Sequence, residues 1–188
     1  MTTVKQGFIL HTFPFEDYHQ IISLFTRDEG VIKAVYKYAL NGKKSAATPL
    51  TLVETTVREG RSDLYQCAEL TLMNPLSGLR ERYPILSAAG RMVESLQQVV
   101  LPRHPLPALF DLFSVYLHAL CLDPVPERLA ASFRLKLLKH EGLLDPMALS
   151  DPLLVLAYSL SLKEIALVPW EEALDLDCNA LWEKLLQG

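Results

Sequence analysis

Apolar and polar positions follow two different periods along this chain, and the change falls near residue 80. Before it, short β-branched and aromatic runs alternate with turn residues. Gly7-Phe8-Ile9-Leu10-His11-Thr12-Phe13 is one run and His19-Gln20-Ile21-Ile22-Ser23-Leu24-Phe25-Thr26 the next, closed by the acidic turn Arg27-Asp28-Glu29-Gly30. Val31 to Tyr38 then alternates from Ile32 onward, which makes a hairpin with the run before it. Ala39 to Thr48, with Asn41-Gly42-Lys43-Lys44-Ser45 at its centre, has no apolar period and reads as a loop. Leu50 to Val57 and Leu64 to Leu72 are two more strands, joined by the turn Glu59-Gly60-Arg61-Ser62-Asp63. Short strands at this spacing, with turn chemistry between them, predict a small barrel.

From Pro84 the apolar positions recur every three to four residues. Ile85, Ala88, Ala89, Met92, Val93, Leu96 and Val100 make one amphipathic helix that stops at Leu101-Pro102. A second is expected from Pro107 to Leu120. A third, opened by Pro126, ends at Glu141-Gly142 with glycine in the C-terminal capping place. Pro152 to Leu167 and Trp170 to Leu186 read as two more, the last with Glu171-Glu172 where the helix dipole favours acid. The expected fold class is α+β, with a barrel domain over residues 1–80 and an all-helical domain over residues 81–188.

Composition narrows the classes. Half of the 188 residues are hydrophobic and 21% are charged, which excludes wholesale disorder. No apolar run approaches the roughly 18–20 residues of a bilayer span, and the first residues lack a signal-peptide pattern, so the expected location is the cytoplasm with no membrane partner. The net charge of −4 conceals an asymmetry, because residues 1–80 carry +1 and residues 81–188 carry −5. An anionic ligand therefore belongs with the barrel.

Catalytic motifs are absent: the chain has no phosphate loop, no dinucleotide fingerprint, no His-Glu-x-x-His and no Gly-x-Ser-x-Gly elbow. The cysteines Cys67, Cys121 and Cys178 are widely spaced, and His118 with Cys121 makes only half a metal site. No enzyme activity, metal or other cofactor is expected. Binding has more support. Lys33, Lys37, Lys43, Lys44, Arg58 and Arg61 lie in the barrel half, interleaved with Tyr36 and Tyr38, and five-stranded barrels hold single strands by pairing cations with aromatic platforms. Strand parity complicates this, since Lys33, Val35 and Lys37 share one face while Tyr36 and Tyr38 take the other. A solvated lysine face over a tyrosine-filled core is the competing reading.

The order of segments resembles a known family. Gly7-Phe8-Ile9-Leu10, Tyr18 to Gly30 with its Leu24-Phe25-Thr26 and closing glycine, the Lys-bearing loop, Pro49 to Glu54, the Glu59-Gly60-Arg61 turn, Leu64-Tyr65 and Ala68-Glu69-Leu70 are similar to the start of the bacterial DNA repair protein RecO family. Phe133-Arg134-Leu135-Lys136-Leu137-Leu138 leading to Gly142 resembles that family's glycine-ended helix, so the likeness covers about residues 4–142. It implies an oligonucleotide/oligosaccharide-binding (OB) barrel followed by helices. It also implies binding of single- and double-stranded DNA, annealing of complementary strands and assistance in loading the recombinase RecA. The implied partners are RecR and the acidic, apolar-ended tail of single-stranded-DNA-binding protein. For that tail, Arg134 or Lys136 would supply charge; the two point apart on a helix, so one of them serves, and ordinary exposed charges are the competing reading.

Many family members carry a four-cysteine zinc module after the glycine-ended helix, whereas Leu143 to Ser150 here holds no cysteine. A member lacking zinc is expected. Physically, annealing needs spread positive charge that neutralises two backbones while leaving base edges free, and the Lys43-Lys44 loop suits that task. A protein-interaction adaptor whose barrel has lost strong DNA binding is the alternative.

Overall fold

A computed structural model describes residues 2–38, 47–60 and 63–187. Five strands, β1 (Thr2–Pro14), β2 (His19–Thr26), β3 (Gly30–Lys37), β4 (Leu52–Glu59) and β5 (Tyr65–Asn74), close in the order β1-β2-β3-β5-β4 and back to β1. Every pairing is antiparallel except that of β3 with β5. This is the expected OB-type barrel. Closure depends on β1, whose residues 7–14 pair with β2 while residues 2–8 pair with β4. The alternation in sequence starts only at Gly7; the polar segment before it becomes strand because β4 supplies its ladder. Gly7 marks the changeover, and a Cβ there would lie 2.8 Å from the Phe25 carbonyl oxygen.

Inside the barrel are Ile9, Ile22, Leu24, Ile32, Ala34, Tyr36, Val53, Val57, Tyr65 and Cys67. The β3 alternation places Ile32, Ala34 and Tyr36 inward and Lys33 and Lys37 in solvent. At the β2–β3 turn Gly30 has φ +65°, a left-handed conformation that disfavours side chains. The chain divides into two units, Met1–Ser77 with Val100–Asp111, and Gly78–Val99 with Leu112–Gly188. The single boundary read near residue 80 does not register the return of Val100–Asp111 to the barrel unit. That return is held by the Arg103 amide donating to the Val31 carbonyl at 3.0 Å and by Phe110, whose ring lies 5.3 Å from Phe8 and 5.6 Å from Phe25.

The second unit contains α1 (Tyr83–Val99), most of α2 (Pro107–Leu120), α3 (Pro126–His140), α4 (Asp151–Tyr158), α5 (Leu162–Leu167) and α6 (Glu172–Gln187). α3 is buried nearly all round, which makes it the central helix. Phe133 meets Phe113 and Tyr116 at 5.6 and 5.8 Å, and Tyr116 shares a 2.8 Å hydrogen bond with Ser132, which donates to the Leu156 carbonyl. Gly142, at φ +72°, ends α3 as expected, and the Leu143 amide reaches back to the Leu138 carbonyl.

The helix read over Pro152 to Leu167 is two, α4 and α5, broken at Ser159-Leu160-Ser161. Ser159 Oγ accepts the Ser161 amide at 3.1 Å, which offers the backbone an alternative to the next helical turn. The Ser159 carbonyl is taken by Lys136 Nζ.

Candidate nucleic-acid interface

The outer face of β3 carries Lys33, Val35 and Lys37, and strand register extends it sideways. Val35 pairs with Gln66 of β5, which pairs with Arg58 of β4, so Arg58 lies on the same outer face two strands from Val35. That separation is about 10 Å, and each lysine is about 7 Å along β3 from Val35. On the other side Val35 pairs with Ile21, which pairs with Phe13 of β1, while Lys33 pairs with Ser23, which pairs with His11. Lys37 stands opposite His19. Lys33, Lys37 and Arg58 are all exposed, and among the described residues none of the three makes an ion pair. The face therefore presents uncompensated positive charge. Its negative boundary lies further along β4 and β5, where Glu54 accepts from Gln6 and Glu69 stands opposite Thr56.

The expected residues Lys43, Lys44 and Arg61 lie outside the described residues. Tyr36 is in the barrel core, as the parity required, and Tyr38 packs against that core.

A different cation is enclosed by the barrel unit. Lys5 is 8% exposed and donates to Asp28 at 2.9 Å and to Glu29 at 2.7 Å. Burial pulls the Lys5 ammonium down, but the bonds to Glu29 and Asp28 outweigh it and hold it above its ordinary value. Burial likewise pushes the Glu29 carboxyl up, and the bonds from Lys5 and the Tyr65 hydroxyl overcome that and hold it below its ordinary value. Lys5 and Glu29 satisfy one another, so neither faces an external anion.

In the helical unit, Arg134 donates to Asn179 Oδ1 at 2.5 Å, and its guanidinium carbon lies 4.5 Å from the centre of the Trp182 ring on α6. Burial lowers its pKa. Lys136, also lowered by burial and then by Lys139, closes the end of α4 through the Ser159 carbonyl. As the spacing required, the two point to different elements. Each already has an internal partner. Elsewhere on this unit an apolar groove of about 680 Å³ is lined by Val115, His118, Leu122, Pro124, Leu162 and Ala166, with Leu122 87% exposed.

Two comparisons join this geometry to known proteins. Residues 1–76 match the family described as recombination protein O N terminal, and residues 80–144 match that described as recombination protein O C terminal. The chain belongs to the RecO family of DNA repair proteins. Its relatives include the DNA repair protein RecO of Chlamydia trachomatis serovar L2, 28% identical over 151 residues, covering 77% of this chain and 60% of the relative. That of Chlamydia pneumoniae is 30% identical over 142 residues, covering 74% and 56%, and that of Pelobacter propionicus 28% over 142 residues, covering 73% and 57%. The chain thus spans less than two thirds of the length of these RecO proteins. The RecO C-terminal match stops at residue 144, just past the Gly142 cap, so α4 to α6 lie beyond it.

Sequence reasoning missed His11 and Phe13. They stand on the outer face with rings 5.9 Å apart and nearly parallel, and Phe13 is 52% exposed. The obscuring feature is a bulge between Ile9 and His11, where β1 slips its register against β2. Phe8, Ile9 and Leu10 are all buried around it, so the period of two is broken there and resumes in His11 and Phe13. The signal available in sequence was the spacing of two between those rings, set against three successive apolar residues.

Proposed function

We propose that this chain is a recombination mediator that binds single- and double-stranded DNA, anneals complementary strands and assists recombinase loading, breaking no covalent bond. The observation that carries this reading is the outer barrel face on which Lys33, Lys37 and Arg58 lie in one register neighbourhood with no described ion-pair partner. Cations that are not internally compensated are available to displace counterions from phosphates, and phosphate contacts of this kind position a strand without reading its sequence. Lys43, Lys44 and Arg61, which lie outside the described residues, are proposed as further phosphate contacts.

The membership also supports RecR and the acidic, apolar-ended tail of single-stranded-DNA-binding protein as partners. For the tail, the groove beside Leu122 and His118 suits an apolar chain end better than Arg134 or Lys136, both of which already serve helices of their own unit. An adaptor role, in which the barrel contacts another protein, is the second reading, favoured by the acidic character of residues 81–188.

Fluorescence anisotropy titration of the whole chain with a single-stranded oligonucleotide, at low and moderate salt, separates the two. The mediator reading expects log affinity to fall linearly with log salt, and replacing Lys33 and Lys37 together by alanine to flatten the slope by about 1.4 on single strands, about 0.7 for each phosphate no longer neutralised. The same size of change is expected for Lys43 and Lys44. Loss of affinity should be equal for unrelated sequences. Salt-independent or absent binding selects the adaptor.

A further inference from the structure

The positive face of the barrel also holds a ring pair that a purely electrostatic site does not need. His11 and Phe13 are two residues apart on β1, so both point outward, and their rings lie 5.9 Å apart at an interplanar angle of 23°. A half-exposed phenylalanine on an outer barrel face loses favourable burial, since water is left against an apolar ring. Its surroundings make it more than an isolated exposed residue. Phe13, Ile21 and Val35 form one cross-strand row. Lys33 and Lys37 lie two residues to either side of that row's end, so their Cα atoms are roughly 12 Å from that of Phe13. A lysine side chain spans about half of that distance, which leaves the separation between a sugar-phosphate chain and a base extending from it. One side of the Phe13 ring rests on His11; the half-exposed remainder is turned to solvent.

We infer that the His11–Phe13 pair is a stacking platform for a nucleobase, so that this face takes single-stranded nucleic acid with its phosphates along Lys33 and Lys37 and one base on Phe13. The inference rests on the nucleic-acid reading above and goes further, because it assigns a strand preference. In a duplex the bases are stacked on each other and unavailable to a ring on a convex face, whereas a single strand presents free base faces. Charge complementarity selects the occupant: an apolar peptide has no use for the two lysines beside the row, and an acidic peptide has no use for a flat ring pair. The platform is sequence-tolerant, since every base has a π face. Any preference for single strands thus comes from Phe13 and the salt dependence from the lysines.

The two contributions separate by substitution. The probes are an oligothymidine of about 20 nucleotides, long enough for one barrel site, and a mixed-sequence duplex of the same length, each titrated against the whole chain at three salt concentrations. Phe13→Ala is expected to weaken binding to the single strand by about five- to a hundredfold. The salt slope and the duplex affinity are expected to stay unchanged. Phe13→Trp should restore single-strand binding, and the added indole should be quenched by the oligonucleotide beyond any quenching seen in the parent chain. Phe13 is half-exposed, so neither change removes core packing, and unchanged thermal unfolding checks that. The stacking inference is overturned if Phe13→Ala binds the single strand as the parent does while the Lys33/Lys37 double alanine variant loses affinity; the phosphate reading then stands. It is overturned equally if Phe13→Ala weakens single strand and duplex alike. If the parent binds neither probe, the nucleic-acid reading fails with it.

Discussion

Lys5 shows how a charge is accommodated inside the barrel unit and what that costs at the extremes of pH. Taking an ammonium out of water is unfavourable unless oxygen ligands replace the solvent, and Asp28 and Glu29 do so from the β2–β3 turn. Glu29 is held below its ordinary 4.5, so its contribution to stability is present above about pH 4.5 and is lost as the pH falls through its lower folded value. Lys5 is held above its ordinary 10.5, so its contribution is present below about pH 10.5 and is lost as the pH rises through its higher folded value. Lys5→Met should therefore be less stable than the parent across the window between, with the two curves converging at either end. Thermal unfolding midpoints from pH 3 to pH 11 check this, and a gap that persists undiminished at pH 3 would show that Glu29 does not supply it. The Cys178 thiol is the opposite case, pushed up to about 12 chiefly by burial, so it stays protonated in the helical unit, in keeping with a core thiol.

At the level of elements, α3 organises the helical unit, and its polar residues serve that packing. Arg134 couples α3 to α6 through the Trp182 ring and Asn179, and Lys136 couples α3 to the end of α4. A guanidinium against an indole in a part-buried setting is worth about 0.5–2 kcal/mol, and its hydrogen bond and methylene packing add a comparable amount. Arg134→Ala is expected to lower stability to urea by about 1–3 kcal/mol. Lys136→Ala should cost less, about 0.5–1.5 kcal/mol, because it gives up one bond to a carbonyl. Equal midpoints for Arg134→Ala and the parent would show that the ring contact contributes nothing. Loss of peptide binding on replacing Arg134 is therefore informative only beside its unfolding curve. Most strands and helices were legible from period alone, yet the α4–α5 break was not. Its apolar period continues in sequence, and the interruption comes from a serine hydroxyl and a lysine contributed by another helix.

For the whole molecule, the mediator reading proposed above, taken with the charge division, predicts that annealing depends on the barrel face rather than on total charge. At pH 7 the chain is −4 overall, so a mediator must act through a local positive field, which salt screens over roughly 10 Å at 0.1 M. Annealing of complementary oligonucleotides, followed by fluorescence quenching, should be accelerated by the parent and reduced at least several-fold when Lys33 and Lys37 are both alanine. An undiminished rate would move the activity to cations outside this face. The order of strands and helices, the inward and outward parity of β3, the turn at Gly30, the helix cap at Gly142 and the place of positive charge were all set by local sequence, because periods of two and 3.6 and the backbone freedom of glycine act over a few residues. Tertiary structure alone decided which segments became neighbours: the N-terminal extension of β1 onto β4, the return of Val100–Asp111 to the barrel unit, the enclosure of Lys5 by Asp28 and Glu29, and the approach of Phe13 and Lys33 to one face. Each joins residues about twenty or more positions apart, and a local period carries no information about partners at that distance, which are selected by barrel closure and strand register.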